Sequence, residues 1–127
     1  MKRMARWTGR IICSIAVMII AAAAVMTLAG ARPAVVLSGS MEPTIKTGSL
    51  AIINTREDEF REKDIAAFET GGALVIHRLV EHSKSGWITK GDANESSDPW
   101  RIKNEEIKGT IVFWIPGLGY LIGKGGA

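Results

Sequence analysis

The chain has 127 residues, a length that fits one small domain. Hydrophobic residues make up 46% of it and charged residues 23%, which excludes intrinsic disorder because disorder requires low hydrophobicity and high net charge. The net charge of +3 at pH 7 comes from residues 1–10, which carry four cations and no acid, whereas the remainder carries 12 cations and 13 acids. Because the larger part has no cationic excess, we predict no nucleic-acid partner.

Cysteine and histidine are too scarce for a metal site. Cys13 is the single cysteine, so the chain cannot form an internal disulfide, and it has two histidines. Zinc sites usually draw on several such ligands. We therefore predict no bound metal ion and no other cofactor.

The N-terminal region is a basic tail followed by a long apolar run. The run Ile11–Ala29 contains no charge, and as a helix it would span about 28 Å, close to the thickness of a bilayer's hydrocarbon core. Because cations that precede a membrane span remain in the cytoplasm, we predict a cytoplasmic tail at 1–10, a transmembrane anchor at 11–30 and an extracytoplasmic domain at 31–127. The expected location is the cell membrane, or the endoplasmic reticulum membrane in a eukaryote.

The same region also fits a cleaved secretory signal peptide, with Ala29-Gly30-Ala31 as the cleavage site. Apolar cores of signal peptides are typically about 7–15 residues long, which is shorter than this run. Both interpretations export the rest of the chain.

The exported part contains short, β-rich apolar runs separated by turn residues. The predicted strands are Ala34–Leu37, Leu50–Asn54, Ile65–Phe68, Leu74–Val80, Trp87–Thr89 and Ile111–Ile115. This pattern predicts a mainly β domain, folded as a barrel or sandwich. The apolar stretch Phe113–Ile122 fits either packing in the core, which we favour, or contact with the bilayer surface.

A serine-rich turn, Ser38–Thr44, follows the predicted anchor by about ten residues. Gly39 permits backbone angles that are closed to other residues, and Pro43 fixes the chain just after the turn. Such a turn can present a serine hydroxyl for chemistry. The alternative is a plain linker between anchor and domain.

A histidine lies within the predicted strand Leu74–Val80. Alternation along the strand places His77 on one face with Val75 and Leu79, and Arg78 on the other. A histidine on an apolar face is either a core residue or a general base. His82, at the polar end of the same run, is the weaker candidate for a base.

The loop Thr89–Pro99 offers two carboxylates, Asp92 and Asp98, and is otherwise typical of a turn region. Taken in order, the three segments supply a hydroxyl, an imidazole and a carboxylate. These are the parts that nucleophilic acyl transfer requires.

Together these segments resemble type I signal peptidases, specifically the endoplasmic-reticulum-type branch shared by archaea, eukaryotes and some Gram-positive bacteria. The matching segments are the nucleophile box Ser38–Thr44, the next strand Gly48–Ile53, the base segment Ile76–Leu79, the acidic box Thr89–Asp98 and the closing strand Gly109–Tyr120. The likeness therefore covers most of the exported part.

The resemblance implies a small signal-peptidase-like β domain that acts as a serine endopeptidase and removes signal peptides after small residues. It implies that Ser40 is the nucleophile and that His77 is the general base, where typical bacterial relatives use lysine. Ser38 would assist at the oxyanion site. Asp98 is our choice to orient His77, while the spacing leaves Asp92 open for the same role.

The implied partners are precursor proteins with signal peptides, membrane lipid and, as an open question, accessory subunits. The acidic box departs from many relatives at Ala93, where they carry asparagine. One alternative is a self-cleaving protease of the repressor type, but such proteases use a lysine base and lack an anchor. Another is a non-catalytic exported β domain that binds a protein partner.

Overall fold

A computed structural model describes residues 1–122 of the chain. The chain divides into two compact units, residues 1–30 and residues 31–127. The last five residues of the predicted catalytic domain, 123–127, lie outside the described residues.

The first unit is a single helix, α1 (Lys2–Leu28), with 27 residues and no buried side chain. It is long and apolar enough to cross a membrane. A helix without a polar face along most of its length suits hydrocarbon rather than water. The helix is followed by Gly30, whose φ of 84° lies in the left-handed region that favours glycine.

The second unit is built on one antiparallel sheet of six strands. These are β1 (Ala31–Val35), β2 (Leu50–Asn54), β3 (Ile65–Thr70), β4 (Ala73–Ser83), β5 (Gly86–Lys90) and β6 (Ile107–Ile115), in the order β1-β2-β6-β3-β4-β5. A 3₁₀ turn (Asn104–Glu106) precedes β6, and the short helix α2 (Gly119–Ile122) follows it. Within residues 31–122 no pairing joins β1 to β5, so the sheet is not closed. The predicted mainly β fold after an N-terminal helix is confirmed.

Strand pairing extends most strands beyond the apolar runs that predicted them. β2 has the predicted bounds, whereas β4 continues to Ser83 and β6 begins already at Ile107. β6 pairs with β3 through its first half, including Gly109 opposite Ala67. Backbone hydrogen bonds to a neighbouring strand therefore set these ends, and side-chain composition does not.

Both faces of β3 are covered by apolar side chains. In β3, Ile65 and Ala67 belong to one buried cluster, while Ala66 and Phe68 belong to another. Alternating side chains point to opposite faces of a sheet, so β3 is buried on both sides. β3 pairs with β4, which bears His77.

The prediction that the C-terminal apolar stretch packs in the core is wrong for most of its side chains. Phe113 is 46% exposed, Tyr120 72% and Leu121 82%, whereas Trp114 and Leu118 are partly buried. The reason lies in the pairing of β6, which contacts β3 only as far as Thr110 and beyond that point pairs with β2 alone.

Candidate active site

The turn that follows β1 is anchored by buried side chains. Met41 is 1% exposed and Ile45 is fully buried, and the backbone N–H of Ile45 donates to the carbonyl of Met41 at 2.9 Å. Ser40, directly before Met41, is partly exposed. The segment is therefore a fixed turn that presents Ser40, rather than a loose linker.

Glu42 closes this turn on its other side. Its Oε1 accepts hydrogen bonds from the backbone N–H of Thr47 at 3.1 Å and from the Thr47 hydroxyl at 3.0 Å. These two bonds, the backbone one first, lower the pKa of the Glu42 carboxyl. The ionised carboxylate thus joins the middle of the loop between β1 and β2 to Thr47, near the loop's end.

His77 lies in the middle of β4, opposite Ala66 of β3, and is only 7% exposed. Its ring stands edge-on to Phe68, with the ring centroids 6.4 Å apart. His77 Nε2 lies 3.1 Å from Ser40 Oγ, and His77 Nδ1 lies 2.6 Å from Asp98 Oδ2. The structure therefore brings Ser40, His77 and Asp98 into one hydrogen-bonded row.

When the imidazole of His77 is neutral, the donor and the acceptor of each hydrogen bond in this row are defined. A carboxylate oxygen only accepts hydrogen bonds, so the contact with Asp98 assigns the ring proton to Nδ1 of His77. Nε2 then carries a lone pair, which faces the Ser40 hydroxyl. This is the arrangement in which an imidazole can remove a proton from an alcohol.

Asp98 has further partners that the sequence did not single out. Its Oδ2 accepts from the Thr89 hydroxyl at 2.7 Å, and its backbone N–H donates to the Thr89 carbonyl at 2.8 Å. The indole N–H of Trp100 donates to the Thr89 hydroxyl oxygen at 3.1 Å. Thr89 could have been identified from the alternation along β5, which places it on the buried face with Trp87. A hydroxyl buried there needs a hydrogen-bond partner.

Asp92 binds an arginine instead of the histidine. Nε and Nη2 of Arg78 donate to its two carboxylate oxygens at 2.9 and 2.7 Å, and the Thr44 hydroxyl donates to Oδ2 at 2.6 Å. The bonds from Arg78, followed by that from Thr44, lower the pKa of Asp92, and the same pair raises the pKa of Arg78. Asp92 thereby ties β4 to the turn that carries Ser40.

The loop after β5 lies directly against the turn that carries Ser40. The backbone N–H of Ala93 donates to the Ser40 carbonyl at 2.8 Å. A Cβ at Gly91 would lie 2.6 Å from the same carbonyl oxygen and 3.1 Å from His77 Nε2, so no larger residue fits there. Because Ala93 contributes its backbone, this contact does not depend on the side chain at position 93.

Ser38 lies beside Ser40, with their hydroxyl oxygens 3.2 Å apart. Both border a largely apolar cavity of about 240 Å³. Its lining is Val36, Ser38, Ser40, Met41, Leu74, Val75, Ile76, His77, Asn94 and Trp100. The cavity is small, and it opens next to the serine and the histidine.

The second histidine is not part of this arrangement. His82 lies five residues further along β4 and is exposed, with its ring stacked on Trp87 at a centroid distance of 4.5 Å.

Comparison with known proteins reveals clear relatives. The family model described as peptidase S24-like matches residues 25–112. The signal peptidase complex catalytic subunit SEC11 of Candida tropicalis is 33% identical over 68% of this chain and 61% of its own length, and signal peptidase I W of Bacillus subtilis is 36% identical over 62% and 49%. SEC11 of Saccharomyces cerevisiae is 31% identical over 77% of this chain and 68% of its own. The chain thus spans about half to two thirds of the length of these relatives, and the predicted resemblance to signal peptidases is confirmed.

Proposed function

Because the chain belongs to the peptidase S24-like family, we propose that it is a membrane-anchored serine endopeptidase that removes signal peptides from exported precursor proteins. The names of its relatives, signal peptidase I and the catalytic subunit of a signal peptidase complex, support this activity. The same comparisons do not favour a non-catalytic binding domain.

The observation that carries the proposal is the row of contacts from Ser40 through His77 to Asp98, at 3.1 and 2.6 Å. In the proposed reaction Ser40 Oγ attacks the scissile carbonyl carbon while His77 Nε2 takes its proton. His77 then gives the proton to the leaving amine, and water hydrolyses the acyl-enzyme by the same route. Asp98 stabilises the imidazolium that forms in each step.

The tetrahedral intermediate needs hydrogen-bond donors for its oxyanion. We assign this role to the backbone N–H of Ser40, assisted by the hydroxyl of Ser38, which lies 3.2 Å from Ser40 Oγ. Donors fixed in advance stabilise the developing charge more strongly than reorienting water does. Ser38→Ala would then lower kcat without removing the nucleophile.

The cavity beside Ser40 supports a preference for small side chains before the scissile bond. Its apolar lining and its volume of about 240 Å³ leave little room for a large group. A substrate in extended form would place alternate side chains into such a pocket. Anchoring by α1 would hold enzyme and precursor in one membrane and raise their effective concentration.

The direct test is cleavage of a signal-peptide substrate by the full chain in detergent. Ser40→Ala and His77→Ala are each expected to abolish turnover while leaving the far-ultraviolet spectrum unchanged. Matched controls are Ser96→Ala and His82→Ala, which remove the same side chains at exposed positions. Turnover by both Ser40→Ala and His77→Ala at the level of their controls contradicts the proposed mechanism.

Turnover by the purified chain alone tests whether accessory subunits are required. SEC11 is named as a subunit of a complex, whereas signal peptidase I W is named without one. We propose that the chain is catalytically sufficient, since the three proposed catalytic residues lie within it. Turnover that appears only after addition of a membrane extract would contradict this.

A further inference from the structure

Asp98 is held by a chain of hydrogen bonds that extends beyond the proposed catalytic row. Thr89 is completely buried, and its hydroxyl contacts Asp98 Oδ2 on one side and the indole nitrogen of Trp100 on the other. No other hydroxyl within residues 1–122 bonds to Asp98. The bonded row thus runs from Trp100 through Thr89, Asp98 and His77 to Ser40.

The direction of each hydrogen bond in this series follows from which of its two groups can donate a proton. An indole N–H can only donate, so Trp100 must donate to the hydroxyl oxygen of Thr89. The single hydroxyl proton of Thr89 is then directed at Asp98, whose carboxylate can only accept. Thr89 therefore has one possible orientation, and it acts as a fixed donor to the oxygen that also accepts from His77 Nδ1.

We propose that Thr89 and Trp100 are positioning residues, which orient the Asp98 carboxylate and through it the imidazole of His77. This inference rests on the proposed function, since it assigns a role within the same site. Two donors on one carboxylate oxygen fix its rotation about the Cβ–Cγ bond. Without the hydroxyl, Asp98 loses a buried partner and the His77 ring loses its constraint, and a small misplacement of a base costs about 100-fold in rate.

Trp100 has a second contact with the site, because its ring also lines the cavity beside Ser40. Phe68, which is fully buried, stands edge-on to Trp100 and to His77, with centroid distances of 6.4 Å in both cases. Thr89, in contrast, does not line the cavity. The two residues are therefore expected to differ in their effect on KM.

The test uses four variants of the full chain in detergent. Thr89→Val removes the hydroxyl at constant size, and Thr89→Ser restores it. Trp100→Phe keeps an aromatic ring in the cavity but removes the N–H. Thr110→Val is the matched control, since Thr110 is also buried, in β6, and within residues 1–122 its hydroxyl makes no hydrogen bond to Ser40, His77 or Asp98.

For Thr89→Val we expect kcat to fall about 10- to 100-fold with KM within about twofold of the wild type. Thr89→Ser is expected to recover most of the loss, and Trp100→Phe to lower kcat about fivefold, as loss of one neutral hydrogen bond implies. Thr110→Val is expected to leave kcat unchanged. Equal kcat values for Thr89→Val and Thr110→Val, or no recovery in Thr89→Ser, would overturn the inference.

A second readout does not depend on turnover. The proton that His77 Nδ1 donates to Asp98 gives a strongly downfield proton resonance, which is assigned by its loss in His77→Ala. We expect this resonance to persist in Thr89→Ser and Thr110→Val and to broaden or disappear in Thr89→Val. If the wild type does not cleave signal peptides, the proposed function fails, while this resonance still decides the positioning role. An unchanged resonance in Thr89→Val would overturn that role.

Discussion

At the scale of single residues, the two aspartates of one loop have different hydrogen-bond partners. Asp98 contacts His77, whereas Asp92 contacts Arg78 and Thr44. The sequence could not distinguish them because both lie in the same loop, and only its path past β4 decides which carboxylate reaches the imidazole. The geometry therefore predicts that their removal has different consequences.

Asp98→Asn is expected to remove activity with little loss of stability. An amide in place of the carboxylate disfavours the productive tautomer of His77, so kcat should fall by at least about 100-fold. Turnover and thermal unfolding of the full chain in detergent measure the two effects. Asp58→Asn, at an exposed position, is the control, and equal turnover in the two variants would contradict the role of Asp98.

Asp92→Asn is expected to act on stability instead. Breaking a partly buried bidentate pair should cost about 1–2 kcal/mol, between the values for exposed and buried pairs. Because Arg78 lowers the pKa of Asp92 below its ordinary value of 3.8, the folded state binds this proton more weakly than the unfolded state does. The contribution is therefore present above about pH 4 and is lost as the pH falls below it.

Acid unfolding followed by tryptophan fluorescence measures this linkage. Below about pH 4 the wild type should lose stability more steeply than Asp92→Asn, so that the two unfolding curves converge at low pH. Curves that stay parallel between pH 5 and pH 2 would show that Asp92 does not contribute in this way.

At the scale of elements, the site lies where three segments meet: the turn after β1, the middle of β4 and the loop after β5. Residue type and order made Ser40 and His77 candidates, and the resemblance to signal peptidases selected them, since a serine beside a glycine and a histidine on a strand are visible locally. Thr89 and Trp100 were missed because their role depends on the strand pairing that places β5 beside β4. The ends of β4 and β6 were misjudged for the same reason.

Substitution of Gly91 tests how closely these segments approach one another. A methyl group there would lie 2.6 Å from the Ser40 carbonyl oxygen and 3.1 Å from His77 Nε2. The loop after β5 and the turn that carries Ser40 would therefore have to move apart. Gly91→Ala is expected to lower kcat at least tenfold, about 1.4 kcal/mol in the barrier. Turnover measures the effect, with Gly9→Ala in α1, where a Cβ has open space, as the control. Wild-type turnover in Gly91→Ala would contradict the close approach.

At the scale of the whole molecule, a helix with no buried side chain precedes a compact β unit. The sequence predicted an N-terminal apolar helix followed by a mainly β part, because an uncharged run of membrane-spanning length is visible without tertiary information. It predicted the sheet less completely: alternation shows that strands exist, but the order β1-β2-β6-β3-β4-β5 depends on long-range pairing.

The orientation of the chain in the membrane follows from its charges. Four cations precede the apolar run, and none of the acidic residues does, so we propose a cytoplasmic N-terminus and an extracytoplasmic β unit. In a Cys13→Ser background, Lys84→Cys marks the exposed turn between β4 and β5, and Lys2→Cys marks the tail. In spheroplasts a membrane-impermeant maleimide should label Lys84→Cys directly and Lys2→Cys only after permeabilisation. Labelling in the reverse order would contradict the orientation, and Lys2→Cys label on a short fragment would identify a cleaved signal peptide.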